Sequence, residues 1–240
     1  MGFYSFSPPR ENGPENAPAQ LYIGGEICAD GWGTPTDTEA ARFREQLAGC
    51  GDVDVIINSP GGDVFAGATI HSLLKAHPGR VVVKIAGIAA SIASVIAMAG
   101  DQILIARAGY MMIHWPWTLT AGNAEDMERC ALRLKEIGAG LAAIYAERTG
   151  KPLAEIERLL DAETYMNAES ALEMGFADGI WATPRVPDAP ADCMRGRNYT
   201  PQAIAARMGA QAKPQTLADL PEQEKRLRAA ALAAGLRLYD

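Results

Sequence analysis

From Leu21 onward the hydrophobic pattern switches between two kinds of segment. Short, nearly continuous runs of β-branched residues alternate with longer stretches in which apolar residues return every three or four positions. VDVII (53–57) and VVVKI (81–85) lack the polar alternation of a half-exposed strand, so they predict strands buried on both faces. LYIGGEI, starting at Leu21, predicts the first strand of the core, and ILIA (103–106) and YMMIH (110–114) predict two more. Between the first two strands, Ala40, Phe43 and Leu47 fall on one helical face, and Thr36-x-x-Glu39 has the spacing of a capping box. Val64 to Ala76 predicts a second helix with Ile70, Leu73 and Leu74 inward, stopped by His77, Pro78 and Gly79. NSPGGD (58–63) reads as a turn, Gly87 is expected to break the strand at 81–85, and Ser91 to Ala99 predicts a short helix of small residues. Strands and helices alternating in this order predict an α/β fold with a parallel sheet and right-handed crossovers.

Asn123, followed by Glu125 and Asp126, predicts the start of a long helix reaching about Arg148. Its apolar positions Met127, Ala131, Leu134, Leu141 and Ile144 recur at helical spacing, and its length suggests contact with another subunit. Residues 168–181 predict one more short helix and a closing strand. Residues 1–19, rich in Pro, Asn and Ser, read as a flexible arm. The core domain is expected over 20–182, and 183–240 as a linker followed by a helix that regains its period from Leu220 to Leu238. A chain of 240 residues is long enough for one well-buried core of this kind.

A formal net charge of −7 argues against a nucleic-acid surface. The longest apolar run, about Ile85 to Gly100, is too short and too rich in Gly, Ala and Ser to span a bilayer, and no secretory leader is recognisable at the N-terminus. Cys28, Cys50, Cys130 and Cys193 are widely spaced, with neither a CxxC pair nor histidines at ligand spacing, so free thiols in a reducing cytoplasm are expected, with no metal and no cofactor.

Histidine is the usual general base near neutral pH, and the chain has three. His71 falls within a predicted helix and His77 near its end, where a structural role is the ordinary one. His114 leaves a buried strand immediately before Trp115-Pro116-Trp117, in the kind of position where α/β proteins place reactive groups. A nucleophile suits a strand-to-helix junction, and Ser91 in GIAASIAS stands at one, with Ser94 a weaker candidate. Taken alone, such a small-residue run equally signifies close backbone packing. NSPGGD also follows a strand and opens a helix; its glycines suit either an anion-binding backbone or a plain tight turn. The chain has no GxSxG, no GxGxxG and no Walker-type loop.

Taken together and in order, INSPGGDVFAG, GIAASIAS and MMIHWP resemble the proteolytic subunit of the Clp protease and its relatives, from about Leu21 to Trp181. The 29-residue interval from Gly62 to Ser91 is that family's spacing. The resemblance implies a serine peptidase with Ser91 as nucleophile and His114 as general base, and with the Gly62 and Ile92 backbone N–H groups binding the oxyanion. It also implies an acidic third member, which DAETYMNAESA assigns to Glu163, with Asp161 as the alternative. The implied fold is a crotonase-like spiral of parallel βαβ units from which the helix over 124–148 protrudes as a handle. The implied assembly is a homo-oligomer, a heptameric ring or pair of rings, enclosing protein or peptide substrates.

The GGDVFAGATIHSLLKAHPGRVVV stretch, the acidic residue in its Glu-Thr-aromatic context and the C-terminal extension look most like the phage and prophage branch of that family. Those members are head maturation proteases acting on scaffold and capsid proteins, so an ATP-independent endopeptidase working in the host cytoplasm or an assembling prohead is expected. The alternatives are a cellular Clp-type peptidase served by a separate unfoldase, a non-catalytic scaffold subunit, or an acyl-CoA hydratase or isomerase of the same fold.

Overall fold

The computed structural model describes residues 3–9, 17–29 and 38–181, all within Met1–Arg185, the first of two units into which the chain divides. Thr36, Cys193 and the linker and helix expected over 183–240 lie outside the described residues. The fold is α/β. Strands β1 (Tyr4–Ser7), β2 (Ala19–Ile27), β3 (Val53–Gly62), β4 (Val81–Ala90), β5 (Gln102–Ala106), β6 (Tyr110–Ile113), β7 (Thr164–Asn167) and β8 (Gly179–Trp181) share one sheet. Its path runs β1-β2-β3-β4-β5-β8, with β6 joined to β4 and β7 to β6. The β2–β3, β3–β4, β4–β5, β4–β6 and β5–β8 pairs are parallel, while β1–β2 and β6–β7 are antiparallel.

The β-branched runs bury one face completely, since Val53, Val55, Ile57, Val83, Ile85, Ile103 and Ile105 have no exposed surface. The expected burial of both faces is corrected: Ile56, Val82, Lys84, Gln102 and Leu104 on the other face are only partly covered. Helices α1 (Thr38–Ala48), α2 (Val64–Lys75) and α3 (Ile92–Ala97) join successive strands. Asp63 caps α2 by accepting the Ala66 N–H at 2.8 Å. Helix α4 (Ala124–Thr149) opens on a capping box, in which Asn123 and Asp126 exchange side-chain-to-backbone bonds of 3.0 Å, and ends at left-handed Gly150. Helices α5 (Leu153–Asp161) and α6 (Ala168–Glu173) flank β7. No helix among the described residues is long and apolar enough to cross a membrane.

Four further expectations are corrected. NSPGG is not a turn but the end of β3, paired in parallel with β2 through Glu26↔Gly61 and Ile27↔Gly62 after a register shift. Gly87 does not break its strand: β4 runs through it, pairing with β5 at Val82–Ile85 and with β6 at Ile88–Ala90. Asn58 fills the space over Gly87, and its Oδ1 accepts the Ile88 N–H at 3.2 Å, which carries the strand across the change of partner. In α4 the buried residues are Gly138, Ala142 and Tyr145, whereas Met127 and Ala131 of the apolar positions read from the sequence are exposed to solvent among the described residues.

The fourth correction concerns the N-terminal arm, in which Tyr4–Ser7 is an ordered strand and Ala19 already belongs to β2. The rings of Tyr4 and Phe6 each meet Phe43 of α1 edge-on, with centroids 5.2 Å apart, and the Tyr4 hydroxyl donates to Glu39 at 3.1 Å. Phe43 is wholly buried, so it ties β1 to the first helix. Phe43→Ala should therefore cost roughly 3–5 kcal/mol of unfolding free energy, read by denaturant titration. It should also raise amide exchange along Tyr4–Ser7; a loss under about 1 kcal/mol would show that α1 does not anchor this strand.

Candidate active site

Strand β6 has two neighbours, and the residue after its last position has a counterpart beyond each. On one side the parallel register sets Ala90 of β4 against Met112, and the next residue, Ser91, donates its N–H to the Met112 carbonyl at 2.9 Å. On the other side the antiparallel register sets Thr164 of β7 against Ile113, so Glu163 is the next position opposite His114. Ser91, His114 and Glu163 thus converge at one end of β6, although 72 positions separate the first and last in the chain.

Ser91 links β4 to α3 with φ 54° and ψ −130°. A non-glycine residue at positive φ carries strain of about 1–3 kcal/mol and persists only where its surroundings hold it. Its N–H is held by Met112 as above, and its carbonyl accepts the Ser94 N–H at 2.9 Å. The hydroxyl is thereby turned out of both the strand and the helix, and Ser91 Oγ lies 2.8 Å from His114 Nε2.

His114 is partly buried, and burial lowers the pKa of its imidazole while the charge of Glu163 partly opposes that shift. The ring is therefore neutral at pH 7. With the proton of the neutral ring on Nδ1, Nε2 is free to accept from the Ser91 hydroxyl. Glu163 also sits at positive φ, 45°, and its Oε1 accepts from the Tyr165 hydroxyl at 3.5 Å. It acts on His114 by charge and is not hydrogen-bonded to it. The alternative carboxylate, Asp161, is otherwise engaged, since its Oδ1 accepts the Trp115 indole N–H at 2.7 Å. The Trp115 ring in turn lies against α4 at Gly138, so the segment leaving His114 is fastened on two sides. Trp117 is 60% exposed and offers apolar surface close to this segment.

The two glycines of the NSPGG segment answer to different neighbours. Gly61, at φ 95°, passes so close to the Ser91 turn that an added Cβ would lie 2.7 Å from Ser91 Cβ and 3.2 Å from Ile92 N. Gly62, at φ 147°, faces β2, where a Cβ would meet the Ile27 carbonyl oxygen at 2.1 Å. Gly61 was not singled out by sequence, and the signal for it was the doubled glycine itself. Ser59 braces the same segment: its wholly buried hydroxyl donates to Gly25 O at 2.6 Å and accepts the Gly61 N–H at 3.1 Å. Ile92 is buried at the first position of α3.

The other two histidines play different parts. His77 Nε2 lies 2.6 Å from the Gly51 carbonyl, which only accepts, so that nitrogen carries its proton and ties the end of α2 to the loop before β3. His71 stays within α2, its pKa lowered by burial and next by Lys75. Among the described residues Cys50 and Cys130 are free thiols, and the Cys28 thiol donates to the Glu26 carbonyl at 3.4 Å.

Because burial disfavours the imidazolium, His114 should titrate below the ordinary histidine value of 6.5. Glu163 favours the charged form, so Glu163→Gln should move the midpoint lower still. Imidazole NMR shifts across the pH range, with His114→Gln identifying the resonance, read both effects; an unchanged or higher midpoint in Glu163→Gln would remove Glu163 from the electrostatics of the site.

A strand-end serine under backbone strain, in contact with a neutral imidazole, is an arrangement suited to nucleophilic attack on a carbonyl. Residues 42–184, from within α1 to just beyond β8 and including all three converging side chains, match the family model described as Clp protease. The match covers more than half of the 240 residues, and on it the chain belongs to the Clp protease family of serine peptidases.

Proposed function

We propose that the chain is an ATP-independent serine endopeptidase with Ser91 as nucleophile, His114 as general base and Glu163 as third member of the triad. The observation that carries the reading is the 2.8 Å contact between Ser91 Oγ and His114 Nε2. In this mechanism His114 takes the hydroxyl proton as Oγ attacks a peptide carbonyl carbon, giving a tetrahedral oxyanion. The oxyanion is received by backbone N–H groups of Gly62 and Ile92, each worth about 10² to 10³ in rate by analogy with other oxyanion donors. Collapse breaks the C–N bond, and His114 returns the proton to the leaving amine. Water, deprotonated by the same imidazole, then hydrolyses the acyl-enzyme. Glu163 stabilises the imidazolium formed in each step through its charge, in keeping with its effect on the pKa of His114.

The proposed setting is phage head maturation, with capsid or scaffold proteins as substrates in the host cytoplasm or an assembling prohead. It is supported by the glutamate in its Glu-Thr-Tyr context and by the extension beyond the matched residues 42–184. The fold is read as the crotonase-like spiral, with α4 as the handle through which rings pair. Met127 (36% exposed) and Leu132 (60% exposed) on its outer half give that handle apolar surface for a second copy.

A fluorophosphonate probe added to the full chain, without ATP or partners, should label Ser91, and labelling should vanish in Ser91→Ala and fall at least about 10³-fold in His114→Ala. An oligomeric wild-type sample that stays unlabelled would mean a scaffold subunit rather than a peptidase. Cleavage of capsid or scaffold protein in the same ATP-free mixture would support the maturation role, and a strict requirement for an added unfoldase would overturn it.

A further inference from the structure

Beneath Ser91 lies a second serine that the proposed mechanism does not use. Ser94, on α3, has no exposed surface. Its Oγ lies 2.6 Å from the Ser91 carbonyl oxygen and 2.7 Å from the Tyr145 hydroxyl. Tyr145 belongs to α4, is 2% exposed, and packs its ring against Phe176 with centroids 5.8 Å apart. Burial raises the phenol pKa far above the ordinary tyrosine value, so it keeps its proton at any working pH.

The proton positions in this chain of contacts follow from chemistry alone. A carbonyl oxygen only accepts, so the single hydroxyl proton of Ser94 is committed to Ser91. The Tyr145 O–H must then be the donor to Ser94 Oγ. The result is a directed relay, Tyr145 O–H to Ser94 O–H to Ser91 C=O, closed off from water, in which each bond polarises the next.

The acceptor at the end of that relay is no ordinary carbonyl. It belongs to the Ser91–Ile92 peptide group, whose other end is the Ile92 N–H. The plane of this group is pinned by two donors to its oxygen, the Ser94 N–H at 2.9 Å and the Ser94 hydroxyl at 2.6 Å. Withdrawal of electron density at the oxygen makes the N–H of the same peptide a stronger donor. A serine bonding back to the carbonyl three residues earlier is common in helices. Here, however, the carbonyl belongs to a residue at φ 54° that cannot relax without leaving His114.

We propose that Ser94 and Tyr145 are positioning residues for the nucleophile: they fix and polarise the Ser91–Ile92 peptide, so that one end holds Ser91 Oγ on His114 and the other aims the Ile92 N–H at the oxyanion. This rests on the reading of Ser91 as nucleophile. Neither side chain touches substrate. Their effect belongs to the reacting state and not to binding, because the oxyanion develops only as the bond to Oγ forms. The relay also ties α4 to the nucleophile turn from 51 positions away.

The test is the kinetics of fluorophosphonate labelling in the full chain, which yield three numbers: the maximal rate, the half-saturating probe concentration and the final fraction of chains labelled. Tyr145→Phe removes one oxygen and keeps the ring on Phe176; it should lower the maximal rate about tenfold, as expected for one lost buried hydrogen bond. Ser94→Ala should lower it by about ten- to a hundredfold, the scale of a slightly misplaced catalytic group. Half-saturation should stay within about twofold and the labelled fraction complete in both variants. Because Tyr145 works through Ser94, the double variant should be no slower than Ser94→Ala alone. Single variants within about twofold of wild type would overturn the proposal. So would a loss confined to half-saturation or to the labelled fraction, the mark of a purely structural role, or single effects that multiply in the double variant. Failure of the underlying reading looks different, since wild type itself would then remain unlabelled at Ser91.

Discussion

The pairing of β6 with β4 on one edge and β7 on the other is the constraint through which every proposed catalytic side chain is delivered. A parallel register of Ala90 on Met112 leaves Ser91 one residue beyond its strand, and an antiparallel register of Ile113 on Thr164 leaves Glu163 one residue before its own. Between them His114 is one residue beyond Ile113. A slip of one position in either pairing would displace a side chain by about 3.3 Å along the strand and turn it to the opposite face. The 2.8 Å contact between Ser91 and His114 is therefore a statement about sheet register before it is one about chemistry. Register in turn depends on β4 being long enough to serve two partners, and on Asn58 bridging the change at Gly87 and Ile88.

What the sequence disclosed follows the same physics. The central strands were legible because runs of β-branched and aliphatic residues suit a pleated, largely buried surface, although one of their two faces is only partly covered. The start of α4 was legible because Asn123 and Asp126 satisfy otherwise unpaired N–H groups locally. The end of β3 was hidden by its own composition. Pro60 and two glycines are poor strand formers, and their place in the sheet comes from β2 lying alongside, not from local preference. Strand β1 carried a faint signal, since YSFS alternates aromatic and small residues, but four residues beside a proline-rich stretch hold no strand without Phe43 to receive them. Ser91 and His114 were each ambiguous alone, and became distinct only as members of three linked motifs. The partnership of Ser94 with Tyr145, like that of Trp115 with Asp161, joins residues 51 and 46 positions apart and leaves no local trace.

The strain at Ser91 and the bonds around it explain each other. Positive φ costs free energy in a residue with a side chain, and the cost is met by three hydrogen bonds to a single residue's backbone, one at its N–H and two at its carbonyl. Gly61 completes the enclosure, because any side chain there would collide with Ser91 Cβ. Such over-determination makes the turn rigid, and rigidity is what the nucleophile proposed at this position would need if reaction is not to await reorganisation.

The two carboxylates at and just beyond the end of α5 divide their labour by what each is allowed to touch. Asp161 is committed to the Trp115 indole, which fastens the chain where it leaves His114. Glu163, two residues on, turns at φ 45° into β7 and keeps its charge near the imidazole without a hydrogen bond to it. Burial by itself would keep His114 neutral but weaken it as a base, whereas full pairing with a carboxylate would strengthen it at the risk of protonation near neutral pH. A carboxylate held at the next register position supplies an intermediate field. The imidazole then stays unprotonated at rest, and in the proposed mechanism the positive charge it would acquire on taking the Ser91 proton still has a counterion nearby.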